Sequence, residues 1–284
     1  MTMIERRTLL GAAAGTAAIA LSGAVGAATT RRLERFGLQL YTLREAAKAD
    51  PIGTLRRIKA LGYSEVELGG PPYSTMDPRV LRRELVRIGL TAPSMHVPIG
   101  ALETDAAKIF AQAATLGCRY VVVPYLDQDR RSTIAQCQVT AAALNGFGAA
   151  AKTAGLSFAY HNHSFEFVPV EGKLPFDIFF GESDPALVKI ELDLHWAVKA
   201  KADVGRIFAQ YPGRIALCHV KDMTADGRMV AVGAGVIDFA AIFAKSRQAG
   251  LVHYFVEHDE PPAPYWPTVA AGADHLKTLR FLNQ

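Results

Sequence analysis

The sequence predicts an α/β fold in one domain, a (β/α)8 TIM barrel, on three observations. Short β-branched or aromatic runs alternate with amphipathic stretches from residue 30 to residue 284. Eight such units fit into the roughly 250 residues usual for this barrel. No G-x-G-x-x-G turn follows the first strand, as a doubly wound dinucleotide-binding sheet would require.

The strands are expected at 36–41 (FGLQLY), 63–68 (YSEVEL), 91–97 (TAPSMHV), 119–124 (RYVVVP), 157–163 (SFAYHNH), 187–193 (LVKIELD), 214–221 (RIALCHVK) and 251–257 (LVHYFVE). Helices are expected near 51–61, 77–88, 103–116, 132–154, 175–183, 203–211, 238–249 and 266–282. Gly62, Gly89, Gly117, Gly155 and Gly250 fall where helices should stop, just before strands.

Strand phase then separates two sets of side chains, because successive residues point to opposite faces. Val188, Ile190 and Leu192 alternate with Lys189, Glu191 and Asp193. Phe158, Tyr160 and Asn162 alternate with Ala159, His161 and His163, and His219 and Lys221 oppose Ala216, Cys218 and Val220. If the apolar set faces the helices, the polar set faces the barrel axis. It also gathers at the C-terminal strand ends: Gln39, Glu67, His96, His161, His163, Asp193, His219, Lys221 and Glu257. Only the fourth strand contributes no polar group. Polar groups buried at this density are costly unless they pair or hold a ligand, and barrel enzymes keep their sites at this mouth.

Composition narrows the function classes. The formal net charge is +4, and the basic residues are scattered. That offers no stripe for nucleic acid or an anionic membrane. The three cysteines, Cys118, Cys137 and Cys218, sit in apolar strand-like or helix-like stretches and read as buried free thiols. Residues 1–28 stand apart from the domain at 29–284. Arg6-Arg7 followed by Leu9-Leu10 and a short Ala/Gly-rich run resembles a twin-arginine signal peptide, with small residues Val25-Gly26-Ala27 for cleavage after Ala27 or Ala28. The run is too short and too weakly apolar to be a stable membrane anchor. The expectation is export by the twin-arginine machinery to the periplasm. The sequence sets no oligomeric state and is compatible with an oligomer.

Asp193, His219 and Glu257 from consecutive strands, with one or two histidines from the fifth, form a mixed N/O set suited to one divalent metal ion. Neutral imidazoles beside carboxylates favour Mn2+, Zn2+, Fe2+ or Co2+ over Ca2+. The competing arrangement is purely structural, with Asp193 paired to Lys189 or Lys221 and His219 bonded to a backbone carbonyl.

The motifs GLQLYTLR (37–44), SMHVPIG (94–100), YHNHSFEF (160–167), ELDLHW (191–196), HVKD (219–222), VGAGVIDF (232–239) and VEHD (256–259) lie in order along these strands. With them the chain resembles the sugar phosphate isomerase/epimerase family of xylose isomerase-like TIM barrels, over about residues 36–284. The resemblance implies a metal held by Glu, Asp, His and Glu from strands five to eight, which map to His161, Asp193, His219 and Glu257. The sequence departs from that pattern at His161, where either an imidazole replaces the carboxylate ligand, which favours Mn2+ or Zn2+ over Mg2+, or the position does not bind the metal. It departs again at Trp196, where relatives often carry a second histidine, and at Ala234, where VG-E-G is commoner. The implied chemistry is proton removal beside a metal-chelated carbonyl of a sugar or keto-sugar, giving isomerisation or epimerisation. Loss of a β-substituent instead makes a lyase or dehydratase acting on a keto-sugar or cyclitol, like inosose dehydratase.

In this frame His163 is the expected base, about 7 Å along the strand from His161 and titrating near neutral pH. Glu257 is expected to act as ligand and as acid/base partner, and Lys221 to stabilise developing charge. Gln39, Glu67 and His96 would bind sugar hydroxyls, and Trp196 would stack on a sugar face. Glu166 is expected either to orient a histidine or supply a second acid, or else to be a free loop carboxylate. A non-catalytic sugar-binding protein would use the same mouth without proton exchange. An endonuclease IV-like nuclease would need more metal ligands than this chain supplies.

Overall fold

The computed structural model describes residues 30–282. The twin-arginine segment at 1–28 lies outside the described residues. Eight parallel strands close into a barrel. They are β1 (Gly37–Gln39), β2 (Glu65–Gly69), β3 (Thr91–His96), β4 (Tyr120–Val123), β5 (Ser157–His161), β6 (Val188–Asp193), β7 (Ile215–Val220) and β8 (His253–Val256). Each pairs with its sequence neighbour, and β8 closes on β1 through Phe255 and Gly37. Every expected strand is present.

Helices cover the outside of the barrel and start where the local chemistry satisfies free N–H groups. Asp50 caps Pro51–Ala60 and Asp77 caps Pro78–Ile88, each followed by a proline whose missing N–H costs nothing there. Thr133 and Gln136 form a reciprocal capping box on Ile134–Thr153. Gly89 and Gly117 end their helices at φ of 81° and 80°, a left-handed conformation that a side chain would strain.

The structure departs from the expected elements in several places, among them the helix Arg44–Ala49 and the strand Phe281–Leu282 where a helix was expected to run on. The helix expected from 103 begins at Ile99, breaks at Asp105 with φ of −158°, and resumes with the Asp105 carboxylate capping Lys108 N–H. The span expected as one helix at 238–249 is two, Phe239–Ala244 and Ser246–Ala249. A helix absent from the sequence reading, Leu194–Lys199, follows β6 directly.

The alternation holds, with one exception. Val66, Val121, Phe158, Ile190 and Cys218 pack outward against the helices in the main core. Tyr120, Val122, Ala159, Ala216, Leu217 and Phe255 form a second apolar cluster. They lie on the inward phase, apart from Ala216, which was expected outside. The β6–β7 register shifts between Ile190 and Glu191, so Glu191 pairs with Leu217 and Ala216 leaves its expected phase. The three cysteines are buried and free, as expected.

Candidate active site

The site stands above the inner apolar cluster, and its first support is a link between strands. Asn162, one residue beyond β5, is fully buried. Its Oδ1 accepts from Asp193 N–H at 3.0 Å, and its Nδ2 donates to Asp193 C=O at 3.4 Å. The sequence pointed this residue toward the helices or the strand rim, but it instead fixes the last residue of β6. Asp193 Oδ1 then caps the next helix by accepting from Trp196 N–H, which leaves Oδ2 facing the barrel axis.

Around Oδ2 the structure gathers Asp193, His219 and Glu257, whose candidate ligand atoms lie within 4.8 Å of one another. His161 Nε2 is 3.7 Å from Asp193 Oδ2, and its Nδ1 is 3.4 Å from Glu191 Oε2. Burial, then the charges of His219, His163, His96 and Lys221, push the His161 imidazole well below its usual range. It is a neutral donor, the form that binds metals. Its Nδ1 and Asp193 Oδ2 are buried with no hydrogen-bond partner.

Lys221 crosses this group. Its Nζ lies 3.0 Å from Asp193 Oδ2 as an ion pair without hydrogen-bond alignment. It is also 2.6 Å from Glu257 Oε2 and 2.7 Å from Asp259 Oδ1. Burial opposes its charge, yet Asp193, Glu257 and Asp259 outweigh that and raise its pKa. Burial likewise works to raise the Glu257 pKa, and Lys221 and His219 reverse the sign and keep the carboxylate ionised. Asp259 was not among the expected residues, although it ends the VEHD motif.

A deeper polar layer was also missed. Glu191 is fully buried, with Oε2 2.7 Å from His96 Nε2 and 3.4 Å from His219 Nε2. Its inward phase was visible, but it lies one step below the strand end. Glu67, expected to bind hydroxyls, belongs to this layer too. Its Oε2 accepts from Gln39 Nε2 at 2.7 Å and contacts His219 Nε2 at 2.6 Å and His96 Nε2 at 3.1 Å. With no exposed surface and three partners, Glu67 orients His219 and does not reach substrate. Burial lowers the His96 pKa, but Glu67 and Glu191 overcome it and lift it to about 9.

Above these layers opens a cavity of about 590 Å³, and Gln39, His96, His161, His163, Lys221 and Glu257 are on its wall. His163 stands beyond the end of β5, with its ring centroid 5.2 Å from that of His161. Its ring stacks on Phe165 at 5.3 Å and leans against Trp196 at 5.7 Å. Near-neutral titration was expected for His163. Burial and the Lys221 charge instead push it down to about 3. Trp196 does not line the cavity. The helix that begins after Asp193 turns its indole behind His163, so it braces the imidazole and offers no sugar platform.

Glu166 takes the orienting role weighed for it. It is fully buried, accepts from His163 N–H at 2.8 Å, and also accepts from Tyr160 O–H. It thus holds the backbone that aims His163. Burial pushes the Glu166 carboxyl up to about 7. A raised acid stabilises the fold most below its unfolded pKa, near 4.5, and loses that contribution as pH climbs through 7. Relative to Glu166→Gln, wild type is therefore expected to lose roughly 3 kcal/mol between pH 4.5 and 8. Denaturant unfolding of both proteins across that range checks the sign. A difference that stays flat or grows in favour of wild type refutes it.

The chain is similar to three known proteins. A sugar phosphate isomerase/epimerase from Parabacteroides distasonis shares the fold with a TM-score of 0.76 and 26% identity, over 90% of this chain and 96% of that one. The IOLI protein, solved with a bound zinc atom, aligns with a TM-score of 0.67 and 17% identity, over 85% of this chain and 94% of its own. Inosose dehydratase from Geobacillus kaustophilus is 24% identical, over 75% of this chain and 81% of that protein. The first and third of these are named for activities on a sugar phosphate and on inosose, and the second shows the shared fold. Residues 55–279 match the family described as xylose isomerase-like TIM barrel, and the chain belongs to that family.

Proposed function

We propose that the protein is a divalent-metal-dependent isomerase or epimerase of a sugar or keto-sugar, acting by proton abstraction alpha to a carbonyl. The observation that carries this reading is the convergence of Asp193, His219 and Glu257 beneath the cavity, with neutral His161 presenting Nε2 3.7 Å from Asp193 Oδ2. Asp193 Oδ2, buried without a hydrogen-bond partner, fits a cation bound there, and the mixed N/O donors suit Zn2+ or Mn2+. The bound zinc in the IOLI protein supports the same choice. These four residues would hold the ion, which when bound supplies Lewis-acid polarisation of a carbonyl.

The remaining steps belong to side chains on the wall. His96 binds hydroxyls on the floor, with Gln39 beneath it holding Glu67 and the Tyr41 backbone. His163, held neutral between Phe165 and Trp196, takes the proton from the carbon next to the carbonyl. Its low proton affinity makes this transfer depend on negative charge developing close by, and the Lys221 ammonium stabilises that charge on the substrate oxygen. Return of that proton to the neighbouring carbon completes isomerisation, whereas epimerisation takes its proton from a second acid on the opposite face.

A second reading shares the first step. His96, with its pKa lifted to about 9, is a cationic acid on the cavity wall and can protonate a leaving hydroxyl. That favours elimination, in line with the likeness to inosose dehydratase. Proton exchange followed by NMR in D₂O, over ketoses, 3-keto-glycosides and inosose, tests the shared step. Exchange is expected with one divalent ion per chain and should vanish on chelation or in His163→Asn. Exchange that survives both removals eliminates the reading. The products then separate isomerase from lyase.

A further inference from the structure

The geometry points to a substrate with two rings, a glycoside whose reacting sugar sits on the polar floor and whose second ring is held by Tyr41 and Tyr125. The inference rests on the sugar-processing reading above and specifies its substrate class. The cavity, at about 590 Å³, lies in the range that suits a drug-sized ligand of several hundred daltons. Its polar groups are concentrated among the strand-end residues of the floor. Above them the wall changes to Gly70, Pro71, Pro98 and Pro124, with Tyr41 and Tyr125.

The two tyrosines enter from different strands. Tyr41 follows β1 in a single 3-10 turn, and Tyr125 follows β4 through Pro124, so they stand three strands apart around the mouth. Each is 46% exposed. Exposed tyrosines are ordinary on a surface, but these two are braced. The Arg44 guanidinium lies 4.2 Å from the Tyr41 ring centroid and is fixed by donating to Asp259 C=O at 2.8 Å. With one face covered, Tyr41 has its other face free. Tyr125 meets His163 and Phe165 edge-on at 5.5 and 5.6 Å, and Arg131 backs Phe165 at 3.7 Å. Aromatic rings fixed before binding lose little freedom when a flat ring stacks on them. The contact from Tyr125 to His163 also joins the rim to the proposed base, so a ring seated on Tyr125 lies next to the reacting carbon. The fourth strand, which delivers no polar group, delivers this aromatic instead.

A pyranose and an aromatic aglycone both present a flat, partly apolar face, and the ligand panel separates them. Binding to the metal-loaded protein is measured by calorimetry for free sugars and for their methyl, phenyl and glycosyl glycosides, in gluco, galacto and manno configurations. Either phenyl or glycosyl compounds are expected to bind at least tenfold more tightly than the methyl glycoside. Tyr41→Ala and Tyr125→Ala should each remove about two- to tenfold of that increment, as expected for loss of one aromatic contact. Tyr→Phe at either position should keep it. Equal affinity for one-ring and two-ring ligands, equal loss for both in the alanine variants, or no binding by any glycoside overturns the proposal. A tyrosine-dependent increment without proton exchange in D₂O supports the two-ring subsite while removing the enzymatic reading.

Discussion

Asp193→Ala is expected to abolish stoichiometric divalent-metal binding and to lower kcat/KM by about a thousandfold or more, the several kcal/mol that a Lewis acid supplies. Asp193 Oδ2 is a buried carboxylate oxygen with no hydrogen-bond partner, within reach of both His161 and His219. The alanine also removes the cap on Leu194–Lys199, which costs about 1 kcal/mol. Asp193→Asn separates the two effects. An amide oxygen still accepts from Trp196 N–H but brings no negative charge to the ion. The asparagine protein should therefore lose less stability than the alanine protein when both are metal-free, while remaining metal-poor by elemental analysis. If Asp193→Asn retains one tightly bound ion per chain, Asp193 is a structural cap and the proposed ligand set is wrong.

Lys221→Met should make the metal-free protein less stable and the response to metal larger. In the structure the Lys221 ammonium neutralises Asp193, Glu257 and Asp259 together. Removing one partner from a buried charge network costs roughly 3–5 kcal/mol, because the remaining charges are left uncompensated. For a chain of this size that corresponds to a fall in Tm of about 6–20 °C. A divalent cation seated by Asp193 and Glu257 restores the missing positive charge. The Tm gain on adding Zn2+ or Mn2+ should then exceed the gain in wild type. Thermal scans of both proteins with and without metal decide this. A gain no larger than in wild type would show that Lys221 and the metal do not share the same carboxylates. Activity should fall as well, since the developing negative charge loses its cation.

Particular residues show why the fold was readable. Most barrel strands carry period-two alternation, and several of the helices between them start at Asp or Thr caps or stop at glycines. These are local signals. Asp193, His219 and Glu257 were legible for the same reason, since each lies at or beside a strand end, where position alone brings residues distant in sequence together. What alternation cannot report is depth along the axis. It placed Glu67 and Glu191 on the inward face but not one layer below the cavity, and Glu67 was therefore read as a substrate contact.

Irregular backbone hid the rest. β5 ends at His161, two residues earlier than the pattern implied, and the helix after Asp193 is only six residues long. Those two boundaries decide the directions of His163 and Trp196. The low proton affinity of His163 follows from burial and a nearby lysine, and neither is present in a local motif. Tyr125 was overlooked because the search at strand ends was for polar groups. The Asp222 carboxylate accepts from Gly233, Gly235 and Ile237 N–H, which joins the HVKD and VGAGVIDF motifs into one folded unit. In the sequence these motifs were separate marks of resemblance.

The inner apolar cluster has a consequence for the order of events. Tyr120, Val122, Leu217 and Phe255 fill the axis between the polar floor and the Glu65–His253 pair, which are 2.8 Å apart. The barrel is therefore a blind well. An ion held by Asp193 would have to descend first, and a sugar that followed would lie over it like a stopper. Loading would then be sequential and unloading its reverse, with the product leaving before the metal could escape. Chelators should strip the idle protein readily and the saturated protein slowly.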